Sequence, residues 1–168
     1  TFSIAASTFG SIATILPVAL NLDTLTGGDP LVKDDDYLHL CVRVDIPERL
    51  TFLQIDVDCD AATTTTADAF RGNYYSIRLG ALTTLTQGRD QWNKLEIRKA
   101  RFARYGTDTS RSWANARAFR IGFLTNTQGT INVWVDDFKL RGGVGIEGDI
   151  EYTVCYRNSL TSGRGNPP

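Results

Sequence analysis

The 168-residue sequence has no methionine, a single histidine and only three cysteines. Each scarcity excludes something. Cys41, Cys59 and Cys155 are too few and too scattered to form a disulfide scaffold. No CxxC or HxxxH spacing occurs, which argues against zinc. His39 has no serine or cysteine nucleophile pattern around it, so no triad can be assembled. Carboxylates are plentiful but carry no glycosidase signature, and an enzyme is not expected. Long apolar runs are also lacking. The longest candidate, Ile12 to Leu22, contains Pro17 and falls short of the roughly 20 residues that cross a bilayer, so no membrane insertion is expected. No signal peptide is recognisable. The net charge of −1 recommends no nucleic-acid partner. A chain that opens on Thr1 without a methionine reads as a segment of something longer.

What is present is an ordinary globular composition, 42% hydrophobic and 22% charged, enough for one well-buried domain with a short appendage. The charge is unevenly spread. Ten acids face three bases between Asp23 and Asp60, and nine bases face three acids between Arg89 and Arg120. Such blocks can pair across neighbouring strands, meet between subunits, or lie on solvated strand faces.

The secondary-structure signal is alternation with a period of two. Tyr37 to Pro47 places Leu38, Leu40, Val42, Val44 and Ile46 on one face and His39, Cys41, Arg43 and Asp45 on the other. Thr51 to Asp60 repeats it, with Leu53, Ile55, Val57 and Cys59 inward and Gln54, Asp56, Asp58 and Asp60 outward, read here as a solvated edge. Asp56, Asp58 and Asp60 imitate the start of a calcium loop, but Ala61 and Ala67 stand where it needs Gly and Glu. A Cys41 to Cys59 bridge is disfavoured, because the two residues have opposite phases.

Further strands are expected at Tyr74 to Leu82, Gln91 to Phe102 and Ala118 to Asn126, with short strands within Thr1 to Leu22. Leu25 to Pro30 and Thr86 to Gln91 read as turns, and the threonine tract Ala61 to Asn73 as an exposed loop. Around Trp113 there is signal for at most a helical turn.

The stretch Gly129 to Leu140, GTINVWVDDFKL, is the clearest strand and has an unusual ending. Ile131, Val133 and Val135 alternate with Asn132 and Trp134; then Asp136 and Asp137 stand side by side, and Phe138 and Leu140 resume the apolar beat out of phase, as a β-bulge allows. About eight strands with little helix make an all-β antiparallel β-sandwich over residues 1 to 141. A glycine-rich linker over 142 to 149 and a tail over 150 to 168, docked on the sandwich or opening a further module, complete the organisation.

The succession DDDYLHLCVRVDIPERLTFLQIDV, NYYSIRLGALT and QWNKLEIRKARFARYGTDTSRSWANARAFRIGFLTNTQGTINVWVDDFKL resembles jelly-roll domains akin to carbohydrate-binding modules. Such domains recur in phage virion proteins and in secreted bacterial modular proteins. The tail is similar to the opening of fibronectin-type modules. The resemblance implies a jelly roll and a non-catalytic module. One reading is a virion structural module on a capsid or tail, contacting other virion subunits or itself. The alternative is a carbohydrate-binding module that anchors a larger protein to a glycan. Its place would be the virion surface or the extracellular space. The resemblance also implies a structural calcium near Asp136 or Asp137. Trp134 is the leading candidate for glycan contact, followed by Trp113, Tyr74, Tyr105 and His39.

Overall fold

The structure, a computed structural model, describes residues 1–23, 36–60, 65, 69–126, 129–141 and 152–153. The expected turn over 25 to 30, most of the threonine tract, the linker and nearly all of the tail lie outside the described residues.

Among the described residues, nine strands and a short tenth build two antiparallel sheets. The first contains β1 (Phe2–Ile4), β9 (Ile131–Arg141), β3 (Tyr37–Val44) and β6 (Trp92–Arg98), in that order. The second runs β2 (Phe9–Leu20), β8 (Ala116–Thr125), β4 (Leu50–Asp58), β5 (Tyr74–Gly80) and β7 (Ala103–Tyr105). A short β10 (Tyr152–Thr153) pairs with the end of β9 opposite Leu140 and Lys139. Among the described residues helix is confined to single turns, including Ala81–Thr84 and the turn Trp113–Asn115 that Ser112 caps through its side chain.

The alternation seen in the sequence becomes the core. Leu38, Leu40, Val42 and Val44 from β3 meet Leu53, Ile55 and Val57 from β4, with Phe119, Phe123, Ile131 and Val133 closing the interior. β2 is one long strand, and its pairing with β8 is regular from Phe9 to Ile15 and shifts before Leu20. Pro17 lies in that shift, as expected of a residue that cannot donate to a ladder.

The bulge in β9 is present. Cys41 faces Asp136 and His39 faces Lys139, so one residue of β3 opposes two of β9. Asp137 takes the left-handed conformation there, with φ 53°. The extra residue returns Phe138 to the interior, where its ring meets Phe119 edge-on at 5.4 Å. The bulge therefore serves two ends at once: it keeps the core apolar and leaves two carboxylates on the outside.

The charge blocks pair within the chain. Lys99, 3% exposed, donates from Nζ to the Leu22 carbonyl at 2.7 Å and lies 3.2 Å from Asp23 and 3.3 Å from the fully buried Asp36. Arg120 pairs with Asp56, and Arg89 with Glu48.

Both described cysteines are free and buried. Burial pushes the Cys59 thiol up to about 12, and burial with the nearby charges of Asp137 and Asp136 raises that of Cys41. A thiol held protonated is a poor nucleophile. In a Cys155→Ser protein, Ellman's reagent at mildly alkaline pH should therefore titrate no thiol in the native state and both after unfolding. A fast-reacting native thiol would contradict this placement.

Candidate functional site

The outer face of the second sheet carries a hydrogen-bonded network of polar side chains that spans three strands. Strand pairing sets it: Gln54 stands opposite Arg78 and Gly122, and Asp56 opposite Ser76 and Arg120. Across three strands the side chains join hands. Arg120 Nε donates to Asp56 Oδ2 at 2.7 Å, Gln54 Nε2 donates to both Asp56 oxygens at 2.9 and 3.0 Å, and Arg78 Nε donates to Gln54 Oε1 at 2.7 Å. A fully buried carboxylate needs such partners, since an unpaired one would be too costly to bury. In both arginines the bond among the described residues runs through Nε, which leaves their terminal NH2 groups as donors to a ligand.

Aromatic rings flank this network on both sides. Phe9 and Phe52 meet at 6.4 Å, and the Arg78 guanidinium lies 5.0 Å from the Phe52 ring. On the other side Tyr74 and Tyr105 stack at 5.0 Å with planes 10° apart, and Arg120 sits 4.4 Å over Phe70. Phe9, with the Arg120 guanidinium 5.8 Å from its ring, is 39% exposed and Tyr105 48%, so each end of the face presents a part-exposed ring. Phe9 reaches its position because Gly122 lies beneath it: a Cβ there would stand 2.1 Å from the ring. Arg78 also lines a cleft of about 490 Å³ at the sheet edge, shared with Lys94, Glu96 and Arg101.

Two expectations are corrected here. Asp56 and Asp58 are not on a solvated edge; both are fully buried, because β4 is the centre of its sheet and Phe70 and Arg120 cover that face. The threonine tract is not wholly exposed either. Its end folds back, so that the Phe70 amide donates to Asp58 Oδ2 at 2.5 Å and Phe70 packs with Ala69 against Ala118.

Of the residues singled out in the sequence, Tyr74 and Tyr105 belong to this face. Trp113 does not. It is a core residue, 8% exposed, with Tyr75 stacked on it at 4.3 Å and Phe102 edge-on at 5.3 Å. Trp134 points outward, as its phase predicts, but from the first sheet, and the Arg43 guanidinium covers its ring at 4.1 Å. The same guanidinium lies 5.6 Å from Trp92. The Trp134 ring is thus covered by a cation of the chain itself, at a closer approach than the 5.8 Å between Arg120 and Phe9.

Phe9, Phe52 and Phe70 escape a reading by motif. Phe52 alone left a signal, an aromatic residue in the polar phase of β4.

Asp136 and Asp137 lie on the outer face of the first sheet. Asp137 Oδ1 is 2.7 Å from Lys139 Nζ, its Oδ2 is 3.0 Å from His39 Nε2, and Asp136 Oδ1 accepts the Asp137 amide. The Lys139 ammonium, with His39 beyond it, holds the Asp137 carboxyl below the usual carboxylate range. Calcium takes about six to eight oxygen ligands. Among the described residues the neighbours of Asp137 that could share an ion are instead an imidazole and a thiol, His39 and Cys41.

No family model matches this sequence, and no curated protein sequence matches it significantly. The fold has solved counterparts. The Family 30 carbohydrate-binding module superposes with a TM-score of 0.50 at 8% identity, over 87% of this chain and 69% of that one. The chain shares the antiparallel β-sandwich fold of that module. The Family 11 module from Clostridium thermocellum, solved with a beta-1,3-1,4-mixed-linked tetrasaccharide, gives 0.45 at 12% identity, over 84% of this chain and 88% of that one.

Proposed function

We propose that this jelly roll is a non-catalytic carbohydrate-binding module, acting on extracellular or surface glycan through the outer face of its second sheet. The observation that carries the reading is the pairing of part-exposed rings, Phe9 and Tyr105, with the Arg78–Gln54–Asp56–Arg120 network between them. A sugar ring has apolar C–H faces that pack on aromatic rings and a rim of hydroxyls that need donors and acceptors. This face supplies both, and the network holds its polar groups in place before a ligand arrives. The other reading, a virion module using charged faces for subunit contacts, is less favoured, because Lys99, Arg120 and Arg89 of the basic block pair with acids inside the chain.

Electrophoresis through gels containing plant and bacterial polysaccharides tests the reading. The protein should be retarded by at least one of them; free migration through all would sink it. A second outcome follows from Gly122. Gly122→Ala should lift the Phe9 ring off the sheet and weaken retardation about as much as Phe9→Ala, with a change in thermal midpoint of only a few degrees. Full retardation by the Gly122→Ala protein would remove Phe9 from the site.

A further inference from the structure

The outer face of the first sheet holds a cluster that glycan binding does not use. His39 and Cys41 stand two apart on β3 and so project to the same side. Asp137 reaches the same spot from β9 because the bulge turns it there. One ligand atom from each of the three lies within 4.8 Å of the other two, and His39 Nε2 is 3.0 Å from Asp137 Oδ2. His39 and Cys41 are 3% and 5% exposed.

The other imidazole nitrogen is the telling one. His39 Nδ1 is buried without a hydrogen bond, and Glu96 Oε1 stands 3.6 Å from it. A histidine that binds a metal through one nitrogen is commonly oriented by a carboxylate at the other. The donor set also has a definite character. An imidazole nitrogen, a thiolate and one carboxylate oxygen form a mixed set that suits zinc and its neighbours, whereas calcium takes oxygen alone.

We propose that His39 Nε2, Cys41 Sγ and Asp137 Oδ2 bind a divalent transition-metal ion such as zinc, with Glu96 orienting His39 and water completing the coordination. Lys139 stays on Asp137 Oδ1, and Lys94, 2.9 Å from Glu96 Oε1, stays on the outer carboxylate, so neither ammonium has to enter the site. The ion would tie β3 to β9 across the bulge. Only two of the ligands, His39 and Cys41, are close in sequence; the third comes from a strand 98 residues from His39, which hides the site from the sequence.

Cobalt chloride, added to the reduced full-length Cys155→Ser protein, reads the site directly. A thiolate-to-cobalt absorption band should appear with one-to-one stoichiometry, vanish in Cys41→Ser and persist in Cys59→Ser. Zinc should compete the band away and raise the thermal midpoint. Glu96→Gln, at a half-exposed position that does not threaten folding, should weaken zinc by about 10-fold. No band, a band that survives Cys41→Ser, or equal zinc affinity in the wild-type and Glu96→Gln proteins would each overturn the assignment or its orienting residue. Glycan retardation is a separate measurement and stands or falls independently.

Discussion

Replacing Lys99 with methionine is expected to lower the unfolding free energy by about 3 to 5 kcal/mol, the usual cost of removing one partner from a buried ion pair. The ammonium lies where chain segments that are distant in sequence converge. It donates to the Leu22 carbonyl, pairs with Asp23 and the fully buried Asp36, and lies 5.4 Å from the Trp113 ring. Methionine matches the apolar stem of lysine but supplies no charge, so the buried Asp36 carboxylate loses the Lys99 ammonium. Urea unfolding measures the effect as a lower midpoint at unchanged slope. Arg89→Met is the comparison. Arg89 and Glu48 are 68% and 38% exposed, and the loss of such a surface pair should cost no more than about 1 kcal/mol. Equal midpoints for the two variants would show that Lys99 is not the anchor described here.

The second large effect concerns binding. Phe9→Ala and Tyr105→Ala should each weaken glycan affinity by roughly 30-fold, the 2 kcal/mol expected when a well-placed aromatic contact is truncated. Their exposure keeps the cost to the fold small. Trp134→Ala should leave the affinity unchanged, because Arg43 already covers that ring. A loss confined to the Trp134 variant would move the site to the first sheet.

Much of this fold could be read from alternation. β3, β4, β8 and β9 each bury the apolar phase that their sequences announce, and the doubled carboxylates of β9 announce the bulge, since only an added residue lets Phe138 share a core with Ile131 and Val133. The site was less legible for a physical reason. A period-two pattern separates one face of a strand from the other, but it does not say whether the outward face meets water. Asp56 and Asp58 look solvated in isolation; they are buried because β4 is central and because Phe70 folds over from a distant turn. Phe9 depends on a bare Gly122 on the neighbouring strand, a relation visible only once β2 and β8 are paired. Trp113 misleads in the opposite way, since its polar neighbours suggest a surface turn while its ring stacks on Tyr75 inside the core.

Calorimetric titration with the polysaccharide that retards the protein decides whether the outer face of the second sheet binds glycan. The wild-type and Trp134→Ala proteins should bind with the same affinity, and the Phe9→Ala/Tyr105→Ala double variant, folded by its melting curve, should give no measurable heat. Wild-type affinity in that double variant would contradict the account.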